Sequence, residues 1–271
     1  MIINKENALQ DLIKFFQESP EPSFKVTNYF QIYSDLFAHL REVDCTFIET
    51  GVLNGGSLFM WRKWLGEKAR IIGVDLNPAA KKWEEFGFEI YIGDQGDPAF
   101  WQKIFKEIGR FDVLLDDGGH QSFQQIVTLS EAVKAAKNKC IVAIEDTCTS
   151  FFKEFSEHRE HSFLEYAKDS TDSLLAKTSD FYANQFPTIG NPKIVEQFSS
   201  VYSIQFYCGI VAYTIDPVAQ ERPKLLWNHM PKEESAASDF RYIGTSSAKV
   251  DWPNPFTDQQ VVVKGGGLKN A

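Results

Sequence analysis

Cysteine is scarce: Cys45, Cys140, Cys148 and Cys208 are the only four in 271 residues, and no two form a Cys-x-x-Cys pair. Three of them sit in apolar, strand-like stretches, so reduced thiols in a cytoplasmic protein account for them most simply. Long apolar runs are missing. None approaches the roughly 20 residues that a membrane-spanning helix needs, and the opening Met-Ile-Ile-Asn-Lys-Glu-Asn lacks the basic-then-apolar pattern of a secretory leader. Basic clusters are missing too. With 28 Lys and Arg against 37 Asp and Glu, the formal net charge of −9 argues against nucleic acid or an anionic membrane as the main partner. There is no internal repeat and no Gly-x-Gly-x-x-Gly, which disfavours a nicotinamide-dependent dehydrogenase. What remains is a globular composition, 43% hydrophobic and 24% charged, made aromatic by 23 Phe. The length suits one α/β domain with additions, since such domains often reach about 200–250 residues.

Hydrophobic spacing divides the chain. Residues 6–17 and Tyr29 to Arg41 have helical periodicity, the second placing Tyr29, Tyr33, Leu36, Phe37 and Leu40 on one face. The period then changes. Short apolar runs at Thr46–Glu49, Ile71–Asp75, Glu89–Ile92, Phe111–Asp116 and Cys140–Glu145 alternate with helix candidates at Ser57–Leu65, Pro98–Ile108 and Ser122–Ala136. Continuous β-rich runs separated by helices predict a doubly wound, mostly parallel sheet covered on both faces. Val201 to Ile215 reads as one or two further strands, with Cys208-Gly209 as a reversal or bulge. The expected organisation is a helical segment over 1–45, a domain over 46–215 with a helical insertion at 151–198, and an irregular arm over 216–271.

Chemistry gathers at the predicted strand ends. Glu49-Thr50-Gly51-Val52-Leu53-Asn54-Gly55-Gly56-Ser57 is a glycine-rich turn between a strand and a helix, where Gly51, Gly55 and Gly56 let backbone approach a ligand and Ser57 is a plausible helix cap. Glu49 suits a positively charged ligand such as S-adenosylmethionine, with its ammonium and sulfonium groups. Asp75, about 20 residues on, is placed to accept from ribose hydroxyls. Asp94 and Gln95 end the third strand with side chains able to meet an adenine amino group. Any Rossmann-like nucleotide domain, or a plain tight turn, would account for the loop alone.

The fourth and fifth strands end in acids: Asp116-Asp117-Gly118-Gly119-His120 and Glu145-Asp146. Neighbouring parallel strands lie about 4.8 Å apart, so Asp117, Glu145 and Asp146 can converge as three hard oxygen ligands for magnesium, calcium or manganese. His120 is positioned to take a proton from a metal-bound hydroxyl. Asp116 is left as a cofactor contact. Taken singly, each acid pair is equally a helix cap or solvated turn. His158, His161, His39 and His229 have no comparable setting.

These elements occur in the order Glu-x-Gly-x-x-x-Gly-Gly-Ser, Gly-Val-Asp, Gly-Asp-Gln, Asp-Asp-Gly-x-His, Ile-Glu-Asp-x-x-Thr-Ser and Ser-Ile-x-Phe-Tyr. The series resembles the metal-dependent sugar O-methyltransferases of macrolide biosynthesis, the macrocin and mycinamicin O-methyltransferase family, over roughly residues 23 to 215. The cephalosporin hydroxylase family is a more distant likeness. The resemblance implies a class I methyltransferase fold, magnesium at Asp117, Glu145 and Asp146, and His120 as general base. It also implies cofactor contacts at Glu49, Gly51, Ser57, Asp75, Asp94, Gln95 and Asp116. Gly119 stands where that family has Ser, Gln124 where it often has a second His, and Gln205 where it has His. Ser23-Phe24-Lys25 matches its Thr-Asp-Lys entry segment loosely. These departures bear on the acceptor rather than on the reaction type.

The expectation is therefore a divalent-metal-dependent transfer of methyl from S-adenosylmethionine to a hydroxyl of a sugar or glycosylated natural product, by a cytoplasmic protein whose family habit suggests a homo-oligomer. Residues 1–45 and 151–198 would shape the acceptor pocket or a subunit interface. A catechol-type diol would chelate the same cation. A non-catalytic methyl-donor-binding accessory protein would need Glu49, Asp75 and Asp94 but neither His120 nor the acid cluster.

Overall fold

The computed structural model describes residues 5–175, 191–218, 249–253 and 260–264. The chain divides into two units, Met1–Lys224 and Leu225–Ala271. In the first, the order is α1 (Lys5–Gln17), α2 (Tyr29–Phe37), β1 (Cys45–Thr50), α3 (Gly56–Leu65), β2 (Ala69–Asp75), β3 (Glu89–Ile92), α4 (Pro98–Ile108), β4 (Val113–Asp116), α5 (Ser122–Ala135) and β5 (Cys140–Ile144). It continues with α6 (Phe163–Ser170), α7 (Asp172–Leu175), α8 (Pro192–Gln197), β6 (Val201–Phe206) and β7 (Val211–Ile215).

The seven strands form one sheet in the order β3-β2-β1-β4-β5-β7-β6. The first five are parallel, while β7 runs antiparallel to both β5 and β6. Because side chains alternate along a strand, each buried strand feeds two cores. Phe47, Ile71, Val113, Leu115 and Ala143 face the layer built by α1, α2 and α3. Ile48, Ile72, Leu114, Val142 and Ile144 face α4, α5 and α6. The doubly wound reading from short apolar runs is what the chain builds.

The first layer is strongly aromatic. Trp61, fully buried, lies 5.2 Å from the Tyr33 ring, 4.6 Å from Phe47 and 6.0 Å from Trp64 between centroids. Its indole N–H also donates to Glu49 at 3.2 Å. Trp61→Ala is expected to cost about 3–5 kcal/mol of unfolding free energy, the range for aromatic truncation in a closed core, read from urea melts; a loss below about 1 kcal/mol would contradict this packing.

Several sequence expectations are refined. The connection between β2 and β3, for which periodicity offered no helix, carries 3-10 turns over Pro78–Phe86, started by Asn77, whose side chain accepts from Ala79 N–H. The stretch after Tyr29 ends as α-helix at Phe37 and closes with a 3-10 turn, Ala38–Leu40. Val201 to Ile215 is two strands, reversed at Gly209 with φ +87°. A Cβ there would stand 2.4 Å from the Tyr29 hydroxyl, so glycine is required by that contact as well as by the turn. Within the arm expected to be irregular, β8 (Lys249–Pro253) and β9 (Gln260–Lys264) pair antiparallel. Of the expected 151–198 insertion, residues 176–190 lie outside the described residues; the remainder holds 3-10 turns, α6, α7 and α8. Among the described residues no helix is long and apolar enough to cross a membrane.

Candidate active site

In an open parallel sheet a ligand binds beyond the carboxyl ends of the strands, where the strand order reverses. Here that point lies between β1 and β4. Thr50 is level with Asp116, and Asp116 with Ile144, so Gly51, Asp117 and Glu145 project together past the sheet edge. A cavity of about 570 Å³ opens there, within the usual 300–1,000 Å³ of small-molecule sites. Gly51, Asp75, Asp94, Asp117, His120 and Asp146 line it, along with Pro22, Ser23 and Phe24 from the segment before α2. Carboxylates predominate over cations on its wall, which favours a cationic ligand.

The glycine loop is shaped by what surrounds it. Gly51 has φ +88° and donates its N–H to Val74 O at 2.8 Å. A Cβ on Gly51 would stand 2.0 Å from the Asp117 carbonyl oxygen. Asp75 fixes the loop from the next strand, accepting from Val52 N–H at 2.9 Å, Leu53 N–H at 3.1 Å and Asn77 N–H at 2.8 Å. Asp94 is exposed on the cavity wall and accepts from Gly96 N–H. Gly55, with φ +80°, precedes α3 as its cap and Gly56 begins it; a Cβ on Gly56 would stand 2.4 Å from the Glu21 carbonyl oxygen.

Packing gives four of these residues a more specific setting. Ser57 does not cap α3: it lies inside the first turn and its hydroxyl donates to Glu49 at 2.7 Å, because that carboxylate is fully buried. Glu49 itself does not line the cavity; it sits beneath the loop with Ser57, Trp61 and Lys25 as partners, and burial raises its pKa despite them. Gln95 is a brace: it donates to both Asp116 oxygens at 2.9 and 3.1 Å and accepts from Gly119 N–H at 2.7 Å. Asp116 is likewise buried behind the cavity wall.

Burial pushes the Asp116 carboxyl up to about 6, against the hydrogen bonds from Gln95 and Gly118 that lower it. The folded chain therefore holds a proton between pH about 4 and about 6 that the unfolded chain releases. Its stabilising effect is complete below pH about 4 and is lost as pH rises through about 6, on the order of 2–3 kcal/mol. Urea unfolding should show stability falling across that window and Asp116→Asn flattening the fall; an unchanged slope in the variant would refute the assignment.

The acid cluster is more ordered than sequence spacing implied. Among the described residues, Asp117, His120 and Asp146 present ligand atoms all within 4.8 Å of one another. Two of these residues carry backbone strain, His120 with φ +57° and Asp146 with φ +50°, a conformation that non-glycine residues adopt sparingly and often at functional sites. His120 Nε2 lies 3.7 Å from an Asp146 oxygen, and the other Asp146 oxygen accepts from the Tyr29 hydroxyl at 2.6 Å. The carboxylate oxygens of Asp117 and Asp146, partly open to the cavity, fit a divalent cation that keeps sites free for substrate oxygens, with the His120 imidazole beside them. Glu145 stands apart from that trio. It is buried, accepts from the Tyr33 hydroxyl at 2.5 Å and from Lys25 at 3.1 Å, and burial pushes it up to about 8 while Lys25 opposes the rise.

Lys25 is the residue that sequence reasoning passed over as a loose motif match. Its ammonium bonds Asp117 and Glu145 and lies 3.8 Å from Glu49. Burial lowers its pKa, but the charges of Glu145, Asp117 and Glu49 outweigh that and raise it. Tyr29 and Tyr33, on one face of α2, donate to Asp146 and Glu145, a role that helical spacing alone does not reveal. The departures at 119 and 124 touch: a Cβ on Gly119 would stand 2.3 Å from the Gln124 side-chain oxygen, and both line the cavity. The insertion region contributes none of the described cavity lining, and His158 and His161 are exposed.

No family model matches the chain. Among curated proteins it is 32% identical over 127 residues to the 8-demethyl-8-(2-methoxy-alpha-L-rhamnosyl)-tetracenomycin-C 3'-O-methyltransferase of Streptomyces olivaceus, covering 44% of this chain and 32% of that one. It is 26% identical over 142 residues to the mycinamicin VI 2''-O-methyltransferase of Micromonospora griseorubida, covering 49% and 35%. The matches thus span about a third of these relatives' length. In structure it resembles the MycE methyltransferase of the mycinamycin pathway, solved with Mg and SAH, at a TM-score of 0.66 and 20% identity over 81% of this chain and 58% of that one. The same enzyme with Mg, SAH and mycinamycin VI aligns at 0.64 over 76% and 53%. The chain has the fold of the class I S-adenosylmethionine-dependent methyltransferases, and its curated relatives are O-methyltransferases of sugar-bearing natural products.

Proposed function

We propose that the chain transfers methyl from S-adenosylmethionine to a hydroxyl of a sugar or glycosylated natural product, with a divalent cation, magnesium or manganese, at the acid cluster. The observation that carries this reading is the trio of Asp117, His120 and Asp146, the last two strained, on the wall of a cavity that the glycine loop and Asp75 also line. Gly51 and Asp75 would hold the donor's amino-acid and ribose parts, with Asp94 and the backbone at Gln95 toward the adenine. Glu49, Ser57 and Asp116 would act by bracing that wall from beneath.

Asp117 and Asp146 would hold the cation, with Glu145 completing the set once its partners yield. The cation, when bound, lowers the pKa of an acceptor hydroxyl. His120 is the base that removes the proton, held by its tight turn and facing Asp146. The sheet edge aligns donor and acceptor, and orientation supplies much of the rate. Residues 1–45 would shape the acceptor side, as Pro22, Ser23 and Phe24 on the cavity wall suggest. A cytoplasmic location and a homo-oligomer belong to the same reading; the four free cysteines are in keeping with the first.

The test is methyl transfer from labelled S-adenosylmethionine to a panel of glycosides with vicinal diols, beside catechols, with and without a chelator. Product from glycosides that disappears with the chelator supports the reading. Product from catechols alone would transfer the proposal to the diol rival, and turnover indifferent to chelator would remove the metal from it.

A further inference from the structure

Lys25 lies in the connector between α1 and α2, with a side chain only 3% exposed. Its ammonium sits among carboxylates from three strands: Glu49 of β1, Asp117 beyond β4 and Glu145 beyond β5. Crowded anions need a cation, and the chain supplies one of its own. Of the three carboxylates, only Asp117 also belongs to the trio that faces the cavity. Asp117 is thus addressed from two sides, by the ammonium within and by any ion in the cavity. Resting on the metal-dependent reading above, we propose that Lys25 is a tethered competitor of the divalent cation, sharing Asp117 with it and giving it up when the metal loads.

Two consequences follow from elementary electrostatics and chain connectivity. A fixed positive charge beside the seat of a dication weakens its binding, the more so where water is largely excluded. Loss of the Asp117 contact also loosens the tether of a segment whose neighbouring residues, Pro22, Ser23 and Phe24, form the cavity wall. Metal loading and the shape of that wall are therefore coupled. A purely structural counter-ion would behave differently: its removal would cost stability and leave metal affinity where it was.

The experiment is calorimetric titration of Mn2+ into the full chain saturated with S-adenosylhomocysteine, comparing wild type with Lys25→Met. Methionine keeps the length and apolar stem of lysine without its charge. The variant is expected to bind Mn2+ about ten-fold or more tightly than wild type. Equal or weaker binding by the variant overturns the competition and leaves the methyltransferase reading standing. Binding by neither protein overturns both. Where Lys25→Met does not fold, Lys25→Gln decides: it too should bind Mn2+ more tightly than wild type, and equal or weaker binding overturns the proposal.

Discussion

Replacing His120 with Ala is expected to lower kcat by about 10²- to 10⁴-fold, the range for losing a positioned general base, while S-adenosylhomocysteine still binds. The imidazole is one quarter exposed on the cavity wall, beside Asp146 and edge-on to Phe155, so its removal opens the wall without emptying a core. Backbone conformation complicates the substitution, because His120 has φ +57° and its carbonyl accepts from the Thr149 hydroxyl at 3.2 Å. Asparagine tolerates that conformation better than alanine. His120→Asn therefore serves as the control for shape: an equal loss of kcat in both variants assigns the effect to the missing base. Activity retained in His120→Asn and lost in His120→Ala would instead assign it to the turn, and activity retained in both would remove His120 from the chemistry.

Gly51→Ala is expected to abolish S-adenosylhomocysteine binding and to destabilise the fold by about 3 kcal/mol or more. Two costs act together there. The residue lies at φ +88°, and the new methyl would overlap the Asp117 carbonyl oxygen at 2.0 Å and its carbon at 2.7 Å. The obstacle is backbone, which has no rotamer to escape into. Relief requires separating the ends of β1 and β4, the crevice proposed to take the donor, and Asp117 N–H donates to Thr50 O at 3.0 Å across the same gap. Calorimetry and thermal unfolding would read both effects. A variant with the wild-type Tm and measurable ligand binding would show that the crevice is not organised around this contact.

The contrast with Gly87 and Gly109 is instructive. Both also have positive φ, but a Cβ on either meets nothing within 4 Å. Alanine at Gly87, left-handed at φ +81° and ψ 18°, should cost only its backbone strain, about 1–2 kcal/mol; Gly109, with ψ −114°, lies outside that region.

The sheet was legible because its signal is local. Ile71 to Val74 or Val113 to Asp116 is buried on both faces, and such a segment cannot be written without a short apolar run. The acids were legible for a related reason: each directly follows such a run, and strand adjacency then brings Asp117 toward Glu145 and Asp146. What the spacing did not carry was direction. Glu49, Glu145 and Asp116 were read as facing a ligand, whereas Ser57, Trp61, Tyr33 and Gln95 hold them below the cavity surface. Those partners come from other elements, from 8 residues away for Ser57 to 112 for Tyr33, and only packing sets their approach. Lys25 is the extreme instance, bonded across 92 residues to Asp117 and 120 to Glu145. The 3-10 turns at Pro78–Phe86 carry no clear period because only Ala80 and Trp83 are buried, although Asn77-Pro78 marks the start.

The measurement that bears most directly on the central claim is calorimetric titration with S-adenosylhomocysteine and then magnesium, on wild type and on Asp117→Ala. The account predicts donor binding in both proteins and a magnesium site present in wild type and lost in Asp117→Ala. No S-adenosylhomocysteine binding by the wild type, or a magnesium site indifferent to Asp117, would contradict it.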